Sequence, residues 1–283
     1  MAVKFFGQFL LEKGVITPSQ LLVALQAQQT SNPVLGELAQ QRGLLTAAQA
    51  ERINARQRAE DRRFGDLAQE MGLLDAAQVD ELVAAQKAQR RLFGEILLEQ
   101  GFLDRAQLDA ELAAHARERE DAARALEVGV AGHAAGDLAD SAMRTCARLF
   151  PRILGGQCQA AGLVGAGALP PCDVTAHVRI EAAARPLTIG LACERATMGR
   201  IGCAFLSIPP EECDAELALD ALGELVNVIM GYVVRDVLPD DAAYRASPPD
   251  TGVPAAELVA DPERALAIAM TSQLGDFVLV VAG

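Results

Sequence analysis

The first 118 residues repeat one pattern of apolar and polar positions four times. In the first unit, Gly14 ends a short predicted helix, and Thr17 then caps a longer helix with Pro18 and Gln20 in its first turn. The same spacing returns every 29 residues, at Gly7, Gly36, Gly65 and Gly94. A helical hairpin of this length cannot bury its apolar face alone. The pattern therefore predicts an all-α domain of four stacked hairpins over residues 1–118.

The pattern changes after the repeats. Residues 119–136 continue a charged helical periodicity that a Gly/Ala-rich stretch interrupts, which predicts a linker helix with a break. Residues 137–283 then predict helices at 137–154, 195–206 and 214–237, a loop-rich passage from Gly155 to Pro171, and strands at 173–180, 186–193, 264–271 and 277–282. This order indicates an α+β domain with an antiparallel sheet.

Charge and composition exclude several kinds of partner. Asp and Glu number 38 against 25 Lys and Arg, and the net charge is −13. This charge argues against a broad electrostatic grip on nucleic acid or an anionic membrane, and it does not exclude a local basic patch. No apolar run favours a membrane span, and the first residues lack a signal-peptide pattern. We therefore expect a cytoplasmic protein that neither binds a nucleic-acid polymer nor inserts into a membrane.

The cysteines all lie in the second half of the chain. They are Cys146, Cys158, Cys172, Cys193, Cys203 and Cys213. None belongs to a C-x-x-C pair, and no histidine spacing completes a metal site. We expect reduced, mostly buried thiols and no metal of the protein's own.

One predicted helix in the second domain carries polar chemistry on a single face. Asp220, Glu224, Asn227 and Gly231 are spaced by four, three and four residues, which places them on one side of the helix. Apolar residues occupy most of the opposite side, where a core would need them. The free face presents an acid and an amide one turn apart, beside Gly223 and Gly231, which let a partner come close. Such a face can bind another protein and hold a water molecule.

The residues of this face resemble the CheX/CheC family of chemotaxis phosphatases over roughly residues 128–283. Asp220, Glu224 and Asn227 meet the family pattern D/S-x-x-x-E-x-x-N, and the surrounding residues are similar to G-E-x-x-N-x-x-x-G. The family's downstream proline is met by Pro248 and Pro249. Only one such helix is visible, which is closest to CheX-type members.

That resemblance implies a function. It implies hydrolysis of the phospho-aspartate of a CheY-like receiver domain, with Asn227 orienting the attacking water and Glu224 pairing with a receiver lysine. Asp220, Gly223 and Gly231 would support these two residues. The receiver would supply Mg²⁺, so no cofactor of the protein's own is expected. A homodimer through the CheX-like domain is a further expectation.

The repeats resemble the MshEN-type N-terminal domain of type II secretion and pilus-assembly ATPases. Members of that family bind cyclic di-GMP through paired R-L-G-x-x-L motifs. Here the third repeat keeps the arginine in register, as Arg63-Phe64-Gly65, whereas Arg91 of the fourth repeat is one position off. The arginine matters because a guanidinium bonds guanine and phosphate. We expect cyclic di-GMP binding to be weak or absent, and any residual site to straddle the third and fourth repeats.

Alternatives to each function stay open on these residues. The second domain could be an adaptor that binds a receiver or motility protein without catalysis, since a fold does not fix an activity. The repeats could be a scaffold that binds protein alone, or a sensor whose ligand binding is the main role of the chain.

Overall fold

The structure is a computed structural model, and it describes residues 4–60, 62–182, 185–239 and 242–283. The side chains of residues 58, 59, 166 and 182 are outside this description. The chain divides into two compact units, Phe5–Arg117 and Glu118–Gly283. Each unit has its own hydrophobic core.

The N-terminal unit is all-α, as its repeats predict. Its helices are α1 (Phe6–Glu12), α2 (Pro18–Ser31), α3 (Leu35–Gln41), α4 (Ala47–Glu60), α5 (Phe64–Glu70), α6 (Ala76–Gln89), α7 (Phe93–Glu99) and the start of α8 (Arg105–Val130). The predicted capping box is present at the start of α2, where the Gln20 amide donates to Thr17 Oγ1 and the Gln20 side chain accepts from the Thr17 amide. The repeated glycine after each short helix has a positive φ, which is +68° at Gly14.

The four hairpins pack in two pairs. One core joins the second and third hairpins, and another joins the first and fourth. In each pair, a phenylalanine ring of one hairpin packs closely against a glycine of the other. A β-carbon at Gly36 would lie 3.1 Å from the Phe64 ring, and one at Gly7 would lie 3.0 Å from the Phe93 ring.

The C-terminal unit is α+β, which confirms the predicted class. Its helices are the end of α8, then α9 (Gly136–Leu149), α10 (Arg195–Leu206), α11 (Ala215–Val237) and α12 (Ala255–Leu258), with a π-helical turn at Phe150–Leu154. Its strands are β1 (Cys158–Val164), β2 (Val174–Ala182), β3 (Leu187–Cys193), β4 (Tyr244–Ala246), β5 (Ala265–Ser272) and β6 (Phe277–Ala282). The described strands form one antiparallel sheet in the order β1-β5-β6-β3-β2-β4.

Alternate residues of each central strand face opposite sides of the sheet. On one side, strand residues such as Val178, Ile189 and Leu279 pack with α9, α10 and α11 in the main core. On the other side, Val278 and Val280 lie in a smaller apolar cluster with residues of α12. Helix α11 is apolar and long enough to span a membrane by composition. Its apolar side chains are instead buried in the main core, which is the pattern of a central core helix.

The structure differs from the predicted elements in four places. The loop-rich passage contains β1, an edge strand that pairs with β5. A short strand, β4, pairs with the end of β2 and was not predicted. Helix α8 continues unbroken to Val130, so the Gly/Ala-rich break predicted within residues 119–136 is confined to the turn before Gly136. The predicted helix at 137–154 ends its regular α-helical part at Leu149.

Candidate functional site

Helix α11 is held in place by its cap and its buried face. Asp214 caps the helix, with its carboxylate accepting a hydrogen bond from the Leu217 amide at 2.9 Å. Its buried face contacts α9, α10 and β2 through Ala218, Ala221, Leu222, Leu225, Val226, Ile229, Met230, Val233 and Val234. A helix anchored along its whole length presents its outer face as a rigid surface.

The outer face carries the polar stripe predicted from the spacing. Asp220, Glu224, Asn227 and Gly231 are all exposed. Among the residues that the structure describes, no side-chain hydrogen bond or ion pair involves Glu224 or Asn227. The carboxylate and the amide are therefore available to a partner, about 4.5 Å apart along the helix axis. Gly231 leaves open space around its Cα.

Gly223 has a different role from the one expected. The spacing predicted that Gly223 lets a partner come close to the exposed face of α11, but Gly223 is buried. A β-carbon at this position would lie 3.1 Å from Cβ of Pro249. The glycine therefore lets the chain around Pro249 pack against the helix, just beside the exposed Glu224.

The segment that carries Pro249 is fixed to the edge of the sheet. The Ser247 amide donates to the Arg179 carbonyl at 2.8 Å, and Ser247 Oγ accepts from the Arg179 amide at 3.0 Å. Two further backbone bonds, at 2.8 and 2.9 Å, join Asp250 to His177 of β2. The downstream prolines thus form a fixed wall along one side of α11. The contact with Pro249 explains why Gly223 is buried, and it joins residues too far apart in the chain for the helical spacing to indicate it.

A positively charged cavity lies farther along α11 and was not predicted. Its volume is about 470 Å³, and it is lined by Arg144, Thr145, Arg148, Tyr232, Arg235 and Asp236. These residues come from α9 and α11, which meet only in the fold. The available sequence signal was the four-residue spacing of Arg144 and Arg148 on one helix.

Two contacts order this cavity. The Arg148 guanidinium lies over the Tyr232 ring, 4.9 Å from the centroid. Arg144 pairs with Asp236 at 3.1 Å. The nearby Ser141 hydroxyl and the hydrogen bond from Arg144 lower the pKa of Asp236, so this carboxylate is ionised at neutral pH. Among the residues described, the lining therefore holds three positive charges and one negative charge.

The residues of the suggested nucleotide site have separate contacts in the structure. Arg63 is exposed at the start of α5, and Phe64 and Gly65 behind it are buried in the core of the second and third repeats. The Arg91 guanidinium pairs with Glu99 at 2.6 Å, and its amide donates to the Asn32 side chain at 2.8 Å. Phe64 and Gly65 therefore serve the core, while Arg91 has an intramolecular partner.

The thiols and carboxylates suggest no other chemistry. All six cysteines are free. Burial raises the pKa of Cys158 and of Cys193 to about 12, so both are inert thiols at neutral pH. Within the described ranges, no group of three or more His, Cys, Asp or Glu side chains could hold a metal ion.

Comparison with known proteins gives structural likeness only. A chemotaxis protein CheX from Desulfovibrio desulfuricans is 15% identical and aligns over 52% of this chain and 97% of its own, with a TM-score of 0.38. A CheC-like superfamily protein from Shewanella sp. PV-4 is 13% identical over 52% of this chain and 96% of its own, with a TM-score of 0.41. A CheX–CheY–BeF3–Mg²⁺ complex from Borrelia burgdorferi aligns at 14% identity over 53% of this chain and 96% of the other, with a TM-score of 0.39. No family model and no curated protein matches the chain.

Proposed function

We propose that the C-terminal unit hydrolyses the phospho-aspartate of a CheY-like receiver domain. The observation that carries this proposal is the exposed pair of Glu224 and Asn227 on a helix fixed by its buried face. Neither side chain bonds to another described residue, so both are free to enter a partner's site. The pattern of these residues, with Asp220 and Gly231, is the one that the resemblance to CheX identifies.

The chemistry requires positioning and no proton acceptor from this chain. Water attacks phosphorus, the bond from phosphorus to the aspartyl oxygen breaks, and the products are the receiver carboxylate and dihydrogen phosphate. The Asn227 amide can accept a hydrogen bond from the water through its oxygen and donate through its nitrogen to a phosphoryl oxygen. Both bonds align the water with the breaking bond, and this alignment lowers the barrier. The receiver's own Mg²⁺ stabilises the charge of the phosphoryl group.

Glu224 has a separate task in this proposal. Its carboxylate lies one turn before Asn227 on the same face, so a receiver lysine that pairs with it fixes the position of the receiver along the helix. The open space at Gly231 lets the receiver surface lie against the next turn. Glu224 is therefore an anchor, and Asn227 is the group that touches the reacting atoms.

The test is the decay of phosphorylated receivers. CheY-like receivers from the same genome are phosphorylated with acetyl phosphate, and their loss of phosphate is followed with and without the full chain. We expect faster decay of at least one receiver. Glu257→Ala, which removes an exposed carboxylate from α12 on the other side of the sheet, is the matched control and should keep the full effect. Binding of a phosphorylated receiver without faster decay would instead support the adaptor function.

A further inference from the structure

We propose that the cavity of Arg144, Arg148, Tyr232 and Arg235 is a second contact site for the same receiver, which it binds through acidic side chains beside the phospho-aspartate. We call these four residues the arginine pocket. This inference rests on the proposed function, because it takes the receiver as the protein that occupies the face of α11. It adds a site that neither the motif nor the resemblance includes.

The position of the arginine pocket supports this inference. Arg235 follows Gly231 by one turn, so it extends the exposed stripe of Glu224 and Asn227 along α11. It lies about 12 Å beyond Asn227 along the helix axis. A receiver of ordinary domain size has a radius of gyration of about 13 Å. A receiver seated at Asn227 therefore also covers Arg235 and its neighbours.

The charge of the arginine pocket supports it independently. The whole chain carries −13, yet the described lining of this cavity has three arginines and a single carboxylate, Asp236. Each helix favours a cation near its C-terminus, which accounts for Arg148 on α9 and Arg235 on α11. This preference does not explain why Arg148 and Arg235 line one cavity together with Arg144. Arg235 makes no ion pair or hydrogen bond with any described residue.

The expected occupant follows from the chemistry of the receiver. A receiver that holds Mg²⁺ beside a phosphorylated aspartate must present carboxylate oxygens there, since these are the ligands that Mg²⁺ prefers. Such a surface is acidic and complements the arginine pocket. The stripe is therefore polarised, with Asp220 and Glu224 at one end and arginines at the other. A polarised stripe admits the receiver in one orientation and speeds its association.

The test measures association with a receiver activated by beryllofluoride, a stable mimic of the phosphoryl group. Arg148→Gln/Arg235→Gln removes two charges and keeps most of each side-chain stem. We expect the association rate of the full chain to fall about tenfold at low salt, and the difference to shrink at 0.3 M salt because salt screens charges. The Lys variants at both positions should restore most of the rate. Arg195→Gln/Arg264→Gln, two exposed arginines outside the pocket, is the control with the same change in charge.

The outcomes separate this inference from the proposed phosphatase activity. If the double Gln variant associates at the same rate and with the same salt dependence as the wild type, the inference is overturned, even if dephosphorylation is observed. A wild type that binds with this arginine dependence but does not accelerate decay would leave the inference standing and overturn the phosphatase. Binding of inorganic phosphate that depends on the arginines, with unchanged receiver association, would make the pocket a small-anion site and overturn the inference. A chain that binds no activated receiver would overturn both.

Discussion

At the residue scale, the proposed function assigns different tasks to two neighbouring side chains, Glu224 and Asn227. Glu224 and Asn227 share one exposed helix face and differ in charge and in hydrogen-bonding capacity. A carboxylate that pairs with a lysine contributes to the complex before reaction. An amide that orients water contributes mainly in the transition state. The two residues should therefore affect binding and turnover unequally.

We predict that Glu224→Ala weakens binding of a beryllofluoride-activated receiver by about thirtyfold, or on the order of 2 kcal/mol. Asn227→Ala should change this affinity much less, because its bonds matter most when water attacks. Isothermal titration of both variants against the same receiver measures the difference. Equal affinities for the two variants would contradict this division of tasks.

At the element scale, the site depends on close packing between α10 and α11. A β-carbon at Gly202 of α10 would lie 2.7 Å from the Cα of Ala218 on α11. This neighbour is backbone and cannot rotate away. The glycine therefore sets the distance between the two helices, and so the position of the stripe on α11.

Gly202→Ala should lower the free energy of unfolding of the C-terminal unit by about 1–3 kcal/mol, because it overpacks this helix contact. Both tyrosines, Tyr232 and Tyr244, lie in this unit and the chain has no tryptophan, so tyrosine fluorescence in urea reports its unfolding. Gly199→Ala on the same helix meets open space and gains helix propensity, so it should raise stability by up to about 1 kcal/mol. Equal stability of the two variants would show that Gly202 does not set the helix distance.

The junction of α4 and α5 in the N-terminal unit should respond to acid. Hydrogen bonds from Arg62 and then Arg56 lower the pKa of Glu70. A carboxyl group with a lowered pKa stabilises the fold above its ordinary pKa near 4.5, and this contribution is lost as the pH falls through the lowered value. In the wild type, the amides of α4 and α5 should become less protected from hydrogen exchange as the pH falls from about 5 to about 3. This fall should be smaller in Glu70→Gln, because the variant has no carboxylate to protonate. Hydrogen exchange of α4 and α5 peptides measures this, with Asp80→Asn as the control. An identical acid response in Glu70→Gln would exclude the ion-pair cluster as its cause.

The elements show what sequence could and could not predict. Repeated caps such as Thr17 with Gln20 are local signals, and they gave the hairpins correctly. The strong periodicity of Asp214 to Val237 likewise gave α11. Strand β1 was missed because its Ala and Gly residues have weak strand preference and its stability comes from pairing with β5, more than a hundred residues away. The arginine pocket was missed because Arg148 and Tyr232 meet only through the packing of α9 on α11.

At the scale of the whole molecule, the chain combines an all-α repeat unit with an α+β unit for which we propose a receiver partner. The repeats keep the motif arginine in register only at Arg63, and Arg91 is engaged by Glu99. Phe64 is buried in the core of the second and third repeats. A ligand with two guanines and two phosphates needs matched arginines from paired repeats, and here Arg91 bonds to Asn32 and Glu99 instead.

We therefore predict that cyclic di-GMP binds the full chain weakly or not at all. Isothermal titration should show no submicromolar binding, and Arg63→Ala should remove any weaker signal because this arginine is exposed and in register. Lys87→Ala, which removes another exposed cation from the same unit, is the control. Submicromolar binding that survives Arg63→Ala would place the ligand site elsewhere in the repeats.

In the proposed function, Asn227 orients the water that hydrolyses the phospho-aspartate of a receiver bound along α11. The most direct measurement compares wild type and Asn227→Ala, each at saturating concentration, for the decay of a receiver phosphate. The account predicts that wild type accelerates decay and that Asn227→Ala loses this acceleration about 100-fold or more, while it still binds the activated receiver and keeps its circular dichroism spectrum. Full acceleration by Asn227→Ala would contradict the account.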